Sequence, residues 1–571
     1  RQAPPARAGA TRTDGEDAVV KRAFAGLSLL LVLVLSACTG LPTTGYVNPG
    51  RGPEVDQTQQ FAFVPDGPLE DASPSEIVEG FLRAGSGPAD DWATAKLFLA
   101  PGTQWDPRAR VTIDRLADRR ATAVPDGTSV GVQLSTIAGV DADGAYSPAV
   151  SGATETLSFT LARVDDQWRI TSAPDGVVLY EEVFPTVYQA ASVAYFDPTW
   201  SYIVPDVRWF PRPLVASRVT TALVDGQPSA WLAGAVKSAF PDELSLVGRS
   251  VTLSASGVAQ VQLPQAALSL DRTTLDRMQT QLTRSLVTAG ISEVQMTVDG
   301  TPIAASELPV KVTRVDPSPA VLTADGTFGV LNGETVDTIP TLSDAVESLA
   351  PTSVELEADR SLAAVLTQQG AVASALADGG TFLLDDRAGL LPPSIDAVGE
   401  IWSVPRSSPS QLRAYTPQGV PREIGNAWPD ASEVVSFQIS RDGTRVAAVV
   451  TVAGVREVWL AGIVREGNAV SLGPPHVLSF SEPGAFDLAW LDDTVVGVLT
   501  SVDGAARLDE LSVGGRGTVG SVPESAKAIS GGSASVRILD DSGRLFSRRG
   551  SSWTLVATDI RVLAVQQGTT S

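Results

Sequence analysis

Two side chains that take part in much enzyme and metal chemistry occur once each in this 571-residue chain, the thiol of Cys38 and the imidazole of His476. A zinc site built from cysteine and histidine takes about four such ligands, so the composition excludes one. A Ser-His-Asp hydrolase would have to use His476, and no G-x-S-x-G motif accompanies it. We therefore predict a loop or structural role for His476, no catalytic residues, no metal and no cofactor. A hydrolase stays open as the least favoured class.

Two further patterns have the form of functional motifs, but the sequence around each favours a structural interpretation. Asp165 and Asp166 could act as a general acid and base, yet they lie between two alternating strand patterns and so predict a hairpin turn. Residues 515–520 read G-R-G-T-V-G, which matches the G-x-G-x-x-G of dinucleotide-binding loops. Pro523 and the lack of a following amphipathic helix remove the context that such a site needs.

The residues before Cys38 indicate the chemistry of its thiol. Two basic residues precede an uncharged apolar run from 23 to 35, and small residues lead from there to the cysteine. This is the layout of an export signal. The run is shorter than the ~20 residues that a helix needs to span a bilayer, so we predict a processed signal rather than a permanent transmembrane anchor.

The last four residues of that stretch, Leu35-Ser36-Ala37-Cys38, resemble the bacterial lipobox. The resemblance implies that a signal peptidase recognises Leu35, Ser36 and Ala37. It also implies that the Cys38 sulfur receives a diacylglyceryl group, with palmitate as an expected acyl chain, and becomes the mature N-terminus. A buried free cysteine behind an ordinary signal is the alternative.

The lipobox divides the N-terminal part of the chain. Residues 1–37 are expected to be the signal peptide, with an untranslated start and the true first residue at Val19 or Val20, because the basic stretch follows directly. Residues 38–72 are rich in glycine, proline and threonine. For them we predict a lipidated N-terminus and a flexible tether that holds the folded part away from the membrane.

The charge and length of the chain limit its partners and its organisation. It has 65 acidic and 42 basic residues, a net charge of −23. Proteins that bind nucleic acid neutralise its phosphates with cations, so this balance argues against nucleic acid as a partner. At about 100–200 residues per domain, the length predicts three or four domains.

Residues 73–180 are predicted to form the first domain. Ser73-Pro74-Ser75-Glu76 has the pattern of a helix capping box with proline at the first helical position. A second short helix is predicted around 91–99, and alternating strand patterns follow it. Two helices followed by a strongly bent sheet resemble the α+β NTF2-like cone, to which the sequence assigns no catalytic residue.

Residues 193–310 alternate strand and helix patterns. Helices are predicted around 214–224 and 231–240, and the clearest one begins after Asp271 as N-cap and ends at Gly290. The segments V-A-Y-F, R-W-F-P, L-V-D-G and I-S-E-V-Q-M-T-V-D-G, in this order, resemble the α/β GerMN domain of extracytoplasmic lipoproteins and spore germination proteins. Met278 and Met296 are interpreted as core residues rather than as metal ligands.

Residues 317–571 are nearly free of helical periodicity. Five segments place an acidic or glycine turn between apolar runs, at 323–331, 376–384, 439–449, 490–499 and 539–546. At about 40–45 residues per blade they predict an all-β propeller of about six blades. Ser440-x-Asp442-Gly443 looks like the turn of TolB-type propellers, in which the acid and the glycine serve turn geometry.

The order of lipobox, tether, NTF2-like cone, GerMN domain and propeller resembles the actinobacterial LpqB lipoprotein family. The resemblance implies a non-enzymatic lipoprotein on the extracytoplasmic face of the cell membrane. It also implies an accessory role in a two-component system, through the extracellular domain of the sensor kinase MtrB, and a link to cell-wall homeostasis and division. A lipoprotein that binds a cell-wall polymer or a small ligand is the alternative.

Overall fold

The computed structural model describes residues 65–248, 251–254, 257–481, 484–532 and 535–568. The predicted signal peptide, Cys38 and most of the predicted tether lie outside these residues. Within them the strands and helices build an α+β unit, an α/β unit and a β-propeller, here called the first unit, the middle unit and the propeller. The predicted multidomain fold class is confirmed.

The first unit opens with helix α1 (Pro74–Ala84), which begins where the sequence predicts. The N–H of Glu76 donates to the Ser73 hydroxyl, and the Glu76 carboxylate accepts from the Ser73 N–H at 2.8 Å. This capping box satisfies two donors that a helix start leaves unpaired. The helix buries an apolar face made of Ile77, Val78, Phe81, Leu82 and Ala84.

A bent sheet completes this unit. Its further elements are α2 (Ala93–Lys96), β1 (Arg110–Asp114), β2 (Arg120–Ala123), β3 (Ser129–Asp141), β4 (Tyr146–Pro148), β5 (Thr154–Val164), β6 (Gln167–Ser172) and β7 (Val177–Tyr180). The strand order is β6-β5-β3-β1-β7, and β2 and β4 also pair with the long strand β3. Strands β1 and β7 run parallel, and the register of β1 against β3 shifts at a bulge, which bends the sheet.

The middle unit combines a long hairpin with a small mixed sheet. Its elements are α3 (Phe184–Val187), β8 (Tyr188–Phe196), β9 (Ile203–Pro211), α4 (Val215–Val224), β10 (Thr252–Leu253), β11 (Ala259–Leu263), α5 (Arg272–Val287), β12 (Val294–Val298) and β13 (Thr301–Pro302). Helices α4 and α5 pack on β8. Asp271 caps α5 as predicted, since its carboxylate accepts from Thr274 N–H, and Met278 and Met296 are fully buried core residues.

The helix predicted around 231–240 is wrong. This stretch contains one 3₁₀ turn, Ala230–Leu232, followed by turns and bends. Gly234 has a φ of +79°, which a helix does not allow, and the N–H and C=O groups of Phe196 and Lys237 bond to each other at 2.9 and 2.8 Å. Pairing with a strand from elsewhere in the unit therefore replaces the local helix.

In the described part of the chain the propeller has six blades. Blade one contains β14 (Ala320–Thr323), β15 (Phe328–Asn332) and β16 (Thr335–Asp337), and blade two contains β17 (Pro351–Leu356), β18 (Leu362–Thr367), β19 (Val372–Leu376) and β20 (Thr381–Asp385). Blade three contains β21 (Ser394–Ile395), β22 (Ile401–Ser403), β23 (Arg413–Tyr415) and β24 (Pro421–Gly425), and blade four contains β25 (Glu433–Ile439), β26 (Arg445–Val452), β27 (Val455–Glu466), β28 (Ala469–Leu472) and β29 (His476–Ser481). Blade five contains β30 (Ala485–Trp490), β31 (Val495–Val502), β32 (Ala505–Ser512) and β33 (Gly515–Ser521). The sixth blade and the C-terminal strands are β34 (Ala526–Ser530), β35 (Arg537–Asp540), β36 (Leu545–Arg549), β37 (Ser552–Ala557), β38 (Ile560–Leu563) and β39 (Val565–Gln566).

The C-terminal strands close the ring. Strand β38 pairs with β14, so the end of the chain supplies the innermost strand of blade one, and β39 pairs with β17 of blade two. Strand β28 pairs with both β24 and β27 and joins blades three and four into one sheet. Helix α6 (Leu342–Ser348), which the sequence patterns did not predict, connects blades one and two.

The other two units contact one face of the propeller. Strand β4 of the first unit packs against β29 and β33. Trp209 of the middle unit donates its indole N–H to the carbonyl oxygen of Gly514 at 2.5 Å, and Thr313, between the middle unit and the propeller, bonds to Asp493. Both acceptors lie in turns on the face where the innermost strands end. The innermost strands begin on the opposite face of the propeller, and neither of these contacts lies there.

Candidate functional site

A cavity of about 430 Å³ lies inside the propeller, surrounded by the innermost strands of its blades. Most of the lining comes from β17, β25, β30, β34 and β38 and from the segment before β21. It is concentrated where these strands begin, and we call the opening on that side the mouth. The volume lies in the range of about 300–1,000 Å³ that is usual for small-molecule sites.

Arg441 closes the end of the channel opposite the mouth. It lies in the turn between β25 and β26, and its guanidinium donates to the carbonyl oxygens of Trp490 at 2.9 Å, Gly531 at 2.8 Å and Gln566 at 3.4 Å. These carbonyls belong to the ends of innermost strands and to β39, so one side chain spans several blades across the axis. Arg441 is 8% exposed.

Glu355 is a buried acid in the wall of this cavity, on the innermost strand of blade two. Its Oε1 accepts from the Ser394 hydroxyl at 2.9 Å, from Ile395 N–H at 2.7 Å and from the Gln567 side-chain amide. The other oxygen, Oε2, has no hydrogen-bond donor among the described residues. Burial raises the pKa of Glu355 to about 7, although the three donors lower it in part.

Asp487 lines the cavity from blade five, on the opposite side of the six-bladed ring. It accepts from the Ser436 hydroxyl at 3.2 Å and from Ile529 N–H at 3.0 Å, which ties blade five to blades four and six. Burial raises the pKa of Asp487 to about 6. Both acids therefore connect neighbouring blades and present carboxyl groups to the channel.

Gln438 adds an amide to the wall. It is 4% exposed, and its Oε1 accepts from Trp490 N–H at 2.7 Å. Its amide nitrogen has no acceptor within the described residues. The deep part of the cavity thus holds a hydrogen-bond acceptor, Glu355 Oε2, and a donor, Gln438 Nε2, that the protein itself does not pair.

The mouth is cationic, although the whole protein is strongly acidic. Arg406, Lys527 and Arg561 are exposed there and contribute to the lining of the cavity. Arg406 pairs with Glu433 at 3.5 Å, whereas Lys527 and Arg561 form no ion pair with any described residue. The whole chain has a net charge of −23, so an opening lined by three cations, from blades three, six and one, differs in charge from the protein as a whole.

The structure places the residues singled out in the sequence as follows. Asp165 and Asp166 form the turn between β5 and β6, both with positive φ, as predicted. Residues 515–520 lie in strand β33, so the glycine pattern there is not a phosphate-binding loop. Leu35, Ser36, Ala37 and Cys38 lie outside the described residues, and their role stays a prediction.

His476 is the first residue of strand β29 rather than part of a loop, and its ring stacks on Trp231 of the middle unit. In the part of the chain that the structure describes, no three His, Cys, Asp or Glu residues are arranged to hold a metal ion. None of the helices seen there has the length and apolarity needed to cross a membrane.

The sequence motifs do not identify the channel residues. Ser440-x-Asp442-Gly443 predicts turn geometry, which the structure confirms: the Asp442 carboxylate accepts from Ser440 Oγ at 2.8 Å and from Thr444 N–H at 2.9 Å. The residue between them, Arg441, is the one that reaches the channel axis. The signal in the sequence that could have identified it is the cation itself, which stands in a motif whose other residues form a turn.

Comparison with known protein families decides what this architecture belongs to. Residues 67–185 match the model described as "Lipoprotein LpqB, N-terminal domain", and residues 326–562 match "Lipoprotein LpqB beta-propeller domain". The chain belongs to the LpqB lipoprotein family. Between these two matches, residues 187–304 match "Sporulation and spore germination", the Germane model, which confirms the predicted GerMN domain.

Curated LpqB proteins are similar over most of the chain. Lipoprotein LpqB of Bifidobacterium longum is 26% identical over 477 residues, which cover 79% of this chain and 80% of the relative. Lipoprotein LpqB of Thermobifida fusca is 25% identical over 564 residues, covering 85% and 89%. Among solved structures, TolB from Acinetobacter baumannii is similar with a TM-score of 0.30 and 14% identity, covering 40% of this chain and 59% of that one.

Proposed function

We propose that this LpqB protein is a lipid-anchored, non-enzymatic accessory of a two-component sensor kinase, which it contacts on the extracytoplasmic face of the cell membrane. The partner inferred from the family is the extracellular domain of MtrB, and the process is cell-wall homeostasis and division. The observation that carries the proposal is the docking of both smaller units onto one face of the propeller.

That docking supports a regulatory contact because it fixes surfaces from different units relative to each other. Arg516 of the propeller donates to the Glu181 carbonyl oxygen at 2.9 Å and pairs with its carboxylate at 3.1 Å. The Trp209–Gly514 bond and the Trp231–His476 stack add two further contacts. A protein whose units are held in a fixed arrangement can bind one conformational state of a partner more tightly than the other. It then shifts the partner toward that state by the difference between its two binding affinities.

The predicted anchor would make a weak contact effective. A lipid on Cys38 would keep the protein in the same bilayer as the kinase, and confinement of this kind raises the effective concentration of one partner at the other. We therefore expect regulation to depend on the anchor as well as on the folded units.

The experiment compares kinase autophosphorylation in proteoliposomes under three conditions: with the lipidated protein, with a soluble form that begins at Thr39, and with no added protein. We expect the lipidated form to change the rate most and the soluble form to act only at much higher concentration. Equal rates in all three conditions would contradict the kinase-accessory proposal.

The non-enzymatic part of the proposal has its own test. The soluble form should turn over neither muropeptides nor ester substrates, and reproducible turnover of either would contradict it. The second candidate function, binding of a cell-wall polymer or small ligand, is favoured by one observation, the polar channel of the propeller with its cationic mouth.

A further inference from the structure

The propeller channel has three features that indicate the chemistry of a ligand: carboxyl groups in its wall, cations at its mouth, and apolar and amide groups between them. Its wall has carboxyl groups on opposite blades, Glu355 and Asp487, and in the deep part Glu355, which is only 3% exposed, keeps one oxygen without a donor among the described residues. Hydrogen bonds to a carboxylate are stronger than those between neutral groups, so a charged donor on a ligand would bind this oxygen well.

The charge around Arg441 does not exclude a cationic ligand group at this depth. The acids whose charges act on Arg441 are Asp493, Glu355, Asp492 and Asp442. Arg445 is the second cation beside them, and it pairs with Asp442. Four acids therefore face two arginines, and Arg441 already donates to three backbone carbonyls.

The cations at the mouth favour a negative charge on the outer part of the ligand. Lys527 and Arg561 have no ionic partner in the described part of the chain, and they stand on neighbouring blades beside the same opening. Arg406 stands across the ring from Lys527. A cationic opening on an acidic protein attracts anions and orients them before they enter.

The walls between the two ends are suited to a peptide backbone. Pro392, Pro393 and Phe486 supply apolar surface, and the free amide of Gln438 can donate to a carbonyl oxygen. Because Arg441 closes the far end, a ligand enters only through the mouth. The cavity of about 430 Å³ holds a molecule the size of a short peptide.

We propose that the propeller channel binds a short zwitterionic peptide, amino end first. Its ammonium group donates to Glu355, its backbone carbonyl accepts from Gln438, and its carboxylate is held at the mouth by Lys527 and Arg561. This site is separate from the docking face on which the kinase-accessory proposal rests, so either proposal can fail without the other.

The first test uses calorimetric titration of the form that begins at Thr39, which keeps every described residue. The probes are trialanine, N-acetyl-trialanine and trialanine amide. We expect trialanine to bind and each blocked peptide to bind at least tenfold more weakly, because blocking removes one of the two charges. No detectable binding of trialanine at millimolar concentration, or equal binding of the acetylated peptide, would overturn the proposal.

The second test assigns the contacts. Glu355→Gln keeps a hydrogen-bond acceptor for Ser394 and Ile395 but removes the charge, and Lys527→Ala with Arg561→Ala removes the mouth cations. Each variant should weaken trialanine binding about tenfold or more. Arg549→Ala, an exposed arginine on the outer strands of blade six, is the matched control and should bind normally. Unchanged binding in the mouth variant overturns the proposal even if Glu355→Gln fails to fold.

Discussion

His476 stacks on Trp231 with the ring centroids 5.6 Å apart and the ring planes 15° from parallel. The histidine begins the outer strand β29 of blade four, and the tryptophan lies in the 3₁₀ turn of the middle unit. The backbone of Val513 lies beside the imidazole. The chain's single histidine thus joins two units of the protein, which gives it a structural role.

Stability should fall on mild acidification through this histidine. Burial lowers the pKa of His476 below its ordinary value, so the unfolded chain binds the proton more readily than the folded one. The contribution to the free energy of unfolding is complete above the ordinary histidine pKa of about 6.5 and is lost as the pH falls below it. Urea unfolding at pH 7.5 and 5.5 measures this.

The variant His476→Phe is the comparison for that measurement. It keeps an aromatic ring against Trp231 but does not titrate, so its stability should change less between the two pH values. The cavity acids Glu355 and Asp487 have raised pKa values and shift stability in the opposite direction, but they are present in both proteins and cancel in the difference. An identical pH dependence in both proteins would contradict the prediction.

Gly514 should not tolerate a side chain. A Cβ atom at this position would lie 2.2 Å from Val207 Cγ1 and 2.9 Å from the Val207 carbonyl oxygen, in the contact between propeller and middle unit. Gly514→Ala should therefore cost about 1–3 kcal/mol of unfolding free energy, as overpacking usually does. The measurement is urea unfolding, with hydrogen exchange of the Trp209 indole as a local probe of docking.

Gly520→Ala is the matched control for Gly514→Ala. It lies in the same blade, and a Cβ atom there would have its nearest neighbour, the Leu508 carbonyl oxygen, 4.0 Å away. Its effect should stay within about 0.5 kcal/mol, as for other substitutions without a specific contact. Equal destabilisation by the two variants would show that the Val207 contact is not the cause.

The ion pair of Arg445 with Asp442 should be essential to the propeller, because both side chains are fully buried. Arg445→Met leaves a buried carboxylate without its counter-ion and should cost about 3–5 kcal/mol. The surface pair of Arg413 with Glu423, 33% and 69% exposed, provides the control, since Arg413→Met should cost less than about 1 kcal/mol. Similar losses in the two variants, measured by thermal unfolding, would contradict this.

Membrane attachment should depend on Cys38. In cells that express Cys38→Ala, we expect unprocessed or released protein and no incorporation of labelled palmitate, because the alanine offers no sulfur for the lipid. Fractionation and labelling measure both. Normal membrane retention of the processed variant would contradict the lipobox interpretation.

The features that the sequence predicted correctly depend on neighbours in the chain. The cap of Ser73 on Glu76, the cap of Asp271 and the turn at Asp165-Asp166 each involve contacts within a few residues. The five repeated turn segments also proved to be hairpins, between β14 and β15, β19 and β20, β25 and β26, β30 and β31, and β35 and β36. Such contacts form wherever the local pattern is present.

The assignment of those hairpins to positions within blades was decided by the tertiary structure. The hairpin at 439–449 joins the first and second strands of its blade, whereas the one at 376–384 joins the third and fourth. The first blade takes its innermost strand, β38, from the opposite end of the chain. Turn chemistry is the same in each case, so no local pattern distinguishes them.

The sequence by itself determined the order of the units, the class of each and the hairpins of the propeller, because those follow from periodicity and turn residues. Only the tertiary structure decided that Arg441 closes a channel, that His476 meets Trp231 and that Glu355 and Asp487 line the same cavity. Glu355 bonds to Gln567 across 212 residues, and Trp209 to Gly514 across 305. Contacts between such distant positions arise from the closure of the ring and from domain docking, and no spacing in the sequence encodes them.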